Sequence, residues 1–286
     1  MKILLRIIYL PAVLSLFILP AQVFAQDNGS GSFNNAVPGR YLFDVYPKIT
    51  EVSSVVYDPD EGIAWVLGDS GSGARIARIN IDDNETEVID IIGAENIDWE
   101  ALVLTDAGDL WILDVGDNNA KREDITFYRV RPELLADNMT LNVIRSIQVS
   151  YPEGPMNVEA AVVKDDRIYF FEKISIFEFK KAKMLSVDIS DDAEAIQIAE
   201  EEGRLPVFFS ITDASLSSKG VLYVLTYYGI FECYFWQEDY SLSFFSKFFF
   251  LGQQESMAVM ESNLFLVGVE SGYFYRIRKW LPFIPI

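Results

Sequence analysis

The 286-residue chain carries 43 Asp and Glu against 23 Lys and Arg, a net charge of −20, with no histidine and a single cysteine, Cys233. Such an acidic balance disfavours nucleic acid and anionic membranes, because phosphate binding needs clustered Lys and Arg. The lack of His removes Ser-His-Asp and Cys-His nucleophiles and imidazole-ligated zinc, and one Cys rules out an internal disulfide, so chemistry here must use carboxylates, Lys, Tyr or an oxygen-ligated metal.

The chain opens with Lys2 and Arg6, an apolar run from Ile7 to Leu19, and small residues at Val23 and Ala25. This order predicts a secretory signal peptide over 1–25, and hence a secreted or periplasmic protein with no stable membrane span after cleavage. Residues 26–39, "QDNGSGSFNNAVPG", read as a flexible leader. From Arg40 to the end, β-branched and aromatic residues alternate with polar ones between turn signals such as "DPDEG", "TDAG" and "SSKG", which predicts short strands in one domain over 40–286. "FFSKFFFLG", 244–252, reads as an outer strand, and the tail "KWLPFIPI" is too short to cross a bilayer.

Five segments repeat one pattern. They start at Val52, Trp99, Val158, Thr212 and Gln254, and each runs from a polar residue through an apolar strand and a turn to a second, aromatic-containing strand. Aligned on Ser53, Glu100, Glu159, Asp213 and Glu255, the units are spaced by 47, 59, 54 and 42 residues. With two more apolar stretches per unit, this is the period of a β-propeller. The expectation is an all-β propeller of five four-stranded blades, or six if the long second or third unit hides another. Residues 40–47, "RYLFDVYP", would supply the missing strand of the last blade and remove the open edge. Val55, Leu102, Val162, Leu216 and Ala258 should then line the channel wall or the core between blades.

In a propeller the start of the first strand and the end of the second lie on the same face. The repeat therefore predicts one ring of Glu100, Glu159, Asp213 and Glu255, with Ser53 in the fifth place and Glu51 nearby. A second, irregular ring comprises Asp69, Asp114, Asp117, Asn118, Glu172, Lys173 and Glu270, with Asp98 and Arg122 beside it. Converging carboxylates raise one another's pKa unless a cation or fixed donors neutralise them. Hard oxygen ligands point to Ca²⁺ or Mg²⁺. On this reading Glu100, Glu159, Asp213 and Glu255 are metal ligands and Glu100, Glu159 and Lys173 are catalytic candidates. The remaining residues (Glu51, Asp69, Asp98, Asp114, Asp117, Asn118, Arg122, Glu172 and Glu270) are ligand-binding candidates. In the alternative, a carboxylate at the head of an inner strand accepts backbone N–H groups from the next blade and fastens the ring.

"DWEAL…GDLWILDVGDNN", "VEAAVV…RIYFFEK", "ITDASLSSKGVLYVLTYYG" and "QQESMAV" resemble a group of secreted bacterial β-propellers known as esterase-like phytase or SdiA-regulated-like proteins, over nearly all of residues 45–276. The resemblance implies the fold, and its phytase-like members imply calcium and phosphoester hydrolysis, for which Lys121, Arg122 and Lys173 are the basic residues at hand. Two functions follow from the sequence. One is a propeller, expected to be monomeric, that binds a small-molecule or envelope ligand on its acidic face, with a divalent cation as the suggested bridge. The other is calcium-assisted hydrolysis of an ester, lactone or phosphoester.

Overall fold

The structure, a computed structural model, describes residues 39–278 except 124, 176, 177, 179, 206, 208, 234–241, 244–251, 262 and 263. The expected signal peptide, nearly all of the leader, most of "FFSKFFFLG" and the C-terminal tail lie outside the described residues. Within them the chain is strands and turns, with two short 3₁₀ turns at Ser70–Ser72 and Pro132–Leu134. No helix is long and apolar enough to cross a membrane among the described residues.

The strands form five separate sheets, which are the blades of a five-bladed β-propeller. Their innermost strands are Val52–Asp58, Trp99–Leu104, Val158–Lys164, Ile211–Leu216 and Gln254–Glu261. Each packs against the next and the last packs against the first, so the ring is closed. The second strand of each blade is covered on both faces by neighbouring blades, so it reads as a nearly unbroken apolar run rather than an alternating one. Leu110–Asp114, for example, is buried at every position.

The core divides into five clusters, each shared by two adjacent blades. Trp99 packs with Leu67 and Ile112 between blades 1 and 2, and Phe127 meets Phe170 edge-on at 5.7 Å between blades 2 and 3. The cluster between blades 5 and 1 joins Phe274, Leu266 and Ala258 to Val55, Val66 and Ile79. Val55, Leu102, Val162 and Ala258 are buried in these clusters, and Leu216 is half-buried against one of them.

Ring closure follows the expected route. Gly39–Asp44 pairs antiparallel with Tyr273–Arg278 as the outermost strand of blade 5, and Phe43 stacks on Phe274 at 4.8 Å. The long second and third units do not hide a sixth blade. Their extra length forms Thr140–Asn142, which adds in parallel to the outer edge of blade 1, and Ile196–Ile198, which adds in parallel to the outer edge of blade 2. Each insertion thus covers the edge of the preceding blade, the position most exposed to unwanted strand pairing.

Candidate functional site

At one face of the disc the chain makes the same backbone bond in four blades. The N–H of Asp69 reaches the carbonyl of Glu51 at 2.8 Å, Gly116 that of Asp98 at 3.0 Å, Lys173 that of Asn157 at 2.9 Å and Glu270 that of Gln253 at 2.8 Å. The head of each inner strand is therefore tied to the tail of the second. A β-bulge follows in these four blades and in blade 4 as well, at Ser53, Glu100, Glu159, Thr212 and Glu255. A bulge turns one extra side chain out of the ladder, and here it brings Glu100, Glu159 and Glu255 to a common mouth.

Asp213 does not join that ring. In blade 4 the bulged residue is Thr212, and its Oγ1 donates to the Gln254 carbonyl just as Ser53 Oγ donates to that of Trp99. Asp213 is shifted by one, and a one-residue shift sends the side chain to the opposite side. It points into the closed centre, where its carboxylate accepts N–H groups from Met257 at 2.7 Å, Ala214 at 2.8 Å and Val55, together with the Ser54 hydroxyl at 3.4 Å. It fastens blades 4, 5 and 1.

Of the other ring residues, Glu100 has Asp69 and Asp98 as neighbours. One carboxylate oxygen from each of these three lies within 4.8 Å of the others. Burial, then Glu159, Asp69 and Asp98, push the Glu100 pKa well above the usual range, with Lys173 opposing. Burial and a side-chain hydrogen bond to Asp69 hold Asp98 at about 7. Glu159 forms an ion pair with Lys173 and accepts from Asn157 at 3.1 Å, and burial still pushes its pKa up. Glu255 accepts from the Tyr227 hydroxyl at 2.8 Å, and burial raises it to about 7. Burial also raises Glu270, with Glu51 and Asp69 adding to the effect. Lys173, 5.4 Å from the Tyr227 ring centroid, is itself raised, because Glu159 and Glu255 outweigh its desolvation.

The second set divides. Asp69 and Glu270 stay at the mouth, and Glu51 is held there at a left-handed φ of 51°. Asp114 and Glu172 occupy the ladder position before the mouth and turn away from it. Asp114 Oδ1 takes the Asp98 N–H and Arg122, both at 2.9 Å, while its buried Oδ2 has no hydrogen-bond partner. Glu172 takes Lys180 at 2.9 Å and the Lys183 N–H. Asp117 accepts the backbone N–H groups of Lys121 and Arg122, which closes its own loop. Beside the mouth, a cleft of about 610 Å³ runs across blades 2 to 4 and includes Asn118, Asn157, Lys173 and Tyr227 in its wall.

No protein-family model matches the chain, and no curated protein matches its sequence. Solved structures do match. A luciferin-regenerating enzyme superposes with a TM-score of 0.50 at 9% identity over 85% of this chain and 97% of that one. A gluconolactonase from Xanthomonas campestris gives 0.47 at 12% over 84% and 80%. A virginiamycin B lyase from Staphylococcus aureus gives 0.44 at 12% over 80% of this chain and 66% of the lyase. The likeness is one of fold.

Sequence reasoning missed Asn96, Asn157 and Tyr227. Asn96 pins the Asp69 loop through its amide to the carbonyls of Gly68, Asp69 and Gly73. Asn157 links the Asp117 N–H, Asn118 and Glu159. A signal for Asn157 was present, because a polar residue stands two before every bulge, at Glu51, Asp98, Asn157, Ser210 and Gln253. Tyr227 carries no comparable mark.

Two tests arise here. A Cβ on Gly116 would fall 2.4 Å from Asp98 Cγ, so Gly116→Ala should displace Asp98 and weaken any cation binding there by about tenfold or more. A calcium isotherm equal to that of the parent chain would contradict this. The raised pKa values of Asp98 and Glu255, each about 7, give a pH dependence of defined sign. The folded chain keeps protons that the unfolded chain has released, so stability falls as pH rises from about 4 to about 7 and levels off above. Melting in EDTA should therefore occur at lower temperature at pH 8 than at pH 5, with Asp98→Asn flattening the slope.

Proposed function

We propose that this protein is a secreted or periplasmic propeller whose acidic mouth holds a divalent cation at Asp69, Asp98 and Glu100 and, through it, a small-molecule or envelope ligand. The observation that carries the reading is the approach of three carboxylates from two blades within 4.8 Å. Lys173, the nearby ammonium, is already engaged by Glu159. The donor set fits Ca²⁺ or Mg²⁺, being hard oxygens in a chain without histidine. Asp114 Oδ2, a buried acceptor with no hydrogen-bond partner, lies beside Asp98 in the same region. The signal-like start of the chain supports secretion.

Hydrolysis of an ester or lactone is the second reading, supported by Glu159. It stands next to the cluster and is held by Lys173 and Asn157, and on this reading it takes a proton from an attacking water. A bound cation would supply charge neutralisation and Lewis acidity. The gluconolactonase name among the similar structures and the esterase-like resemblance of "DWEAL" and "GDN" agree with this chemistry without carrying it. Chromogenic esters, lactones and phosphates assayed in calcium and in EDTA test it. Calcium-dependent turnover lost in Glu100→Gln and Glu159→Gln supports hydrolysis. Calcium binding without turnover leaves the ligand-binding reading, and no calcium binding at millimolar concentration ends both.

A further inference from the structure

The cleft beside the mouth has a charge arrangement that selects its occupant. Among the described residues two lysines line it, and both are ion-paired with carboxylates of the same region. Lys173 is held by Glu159 and faces the Tyr227 ring. Lys180 lies 2.9 Å from Glu172 and 3.0 Å from Glu178, both of which also line the cleft. The Asp117 carboxylate is closed on the backbone of its own loop. The charged groups are thus satisfied within the wall, and the acids outnumber the bases. Between them lie buried Met156 and Ile174, with Pro155, Tyr227 and Tyr228, and the Asn118 side chain.

We infer that this cleft takes an uncharged small molecule, apolar on one side and bearing hydroxyl, carbonyl or amide groups on the other, and that it rejects phosphate esters and free carboxylates. The inference rests on the reading above, in which the same face holds the cation, and narrows its ligand. An anion would have to displace a carboxylate from Lys173 or Lys180 before gaining a charge-assisted bond, and buried Glu159 or Glu172, once displaced, would be left in a poorly solvated wall. A divalent ion does not reverse this. Asp69, Asp98 and Glu100 together still exceed its charge by one. The field of the whole chain, at −20, has the same sign. A cleft built for phosphate would instead present unpaired Arg or Lys in fork or cluster geometry.

The test uses matched probes that differ by one charge, titrated into the full chain by ligand-observed NMR in calcium and in EDTA. The pairs are 4-nitrophenyl β-D-glucoside with its glucuronide, and 4-nitrobenzamide with 4-nitrobenzoate. The neutral member of at least one pair should bind at millimolar concentration and its anion about tenfold more weakly or worse. Equal or tighter binding of the anions, or no binding by either neutral probe, overturns the inference. The double variant Glu172→Gln, Glu178→Gln releases Lys180 and should bring the anion to within about twofold of its neutral partner. An unchanged ratio in a folded variant also overturns it. A calcium isotherm on the same samples separates the two readings. Neutral preference without calcium binding sinks only the cation, and calcium binding without neutral preference sinks only the cleft.

Discussion

Asp213→Ala should destabilise the protein by about 3–5 kcal/mol, the largest effect expected of any single polar substitution here. The carboxylate is buried at the centre of the ring and accepts from Met257 in blade 5, Val55 in blade 1 and its own neighbour Ala214. Removing it strands several buried N–H groups together, and each unsatisfied donor costs about 1–3 kcal/mol. The Ser54 hydroxyl, which also supports the Leu102 N–H at 3.2 Å, loses its acceptor at the same time. For a domain of this size the melting temperature should fall by roughly 10 °C. Asp213→Asn keeps one carbonyl acceptor and should fall less than the alanine variant. Urea denaturation with an unchanged slope and a lowered midpoint is the expected record. Parent-like melting of Asp213→Ala would mean that the apolar clusters alone close the ring.

Calcium should raise the melting temperature and EDTA should lower it. A ligand bound only to the folded state adds about 2.7 kcal/mol at a hundredfold excess over its Kd, which is roughly 5–10 °C here. The sharper expectation concerns Glu100→Gln. Glu100 is buried against Glu159, Asp69 and Asp98 with little to offset its charge. Neutralising it should make the protein in EDTA at least as stable as the parent while removing most of the calcium response. A merely structural Glu100 would behave differently, since its loss would lower stability in both buffers equally. Glu159→Gln should differ again. It releases Lys173 from its ion pair and changes the ring without removing one of the three clustered carboxylates. Coincident melts of the parent chain in calcium and EDTA would sink the cation.

The blade architecture was legible in the sequence for a physical reason. Each unit has to bury both faces of its inner strands, so its apolar runs recur at the same spacing from a polar head residue. Turn residues mark each hairpin, and the leftover "RYLFDVYP" has one place to go. The common mouth was legible too, since strand direction alone puts Glu100 and Lys173 on one face. The identity of the ring in blade 4 was not. Thr212 and Asp213 are adjacent and both polar, and only the position of the bulge decides which faces the mouth and which faces the centre. The extra length of the second and third units, likewise, could not be assigned from local pattern.

The sequence by itself thus determined the class, the repeat, the closing strand and the acidic character of one face, because those depend on periodicity, chain direction and composition. Only the tertiary structure decided which carboxylates share a cluster, which are closed by Lys173, Lys180 or backbone amides, and which edges the strands at Thr140–Asn142 and Ile196–Ile198 cover. Several of those choices are made by groups 40 or more residues apart in the chain, such as Asp213 with Met257 and Asp117 with Asn157. The side chains carry no local mark of such partners, since the same carboxylate is a ligand, a counter-ion or a fastener according to what the neighbouring blade sets against it.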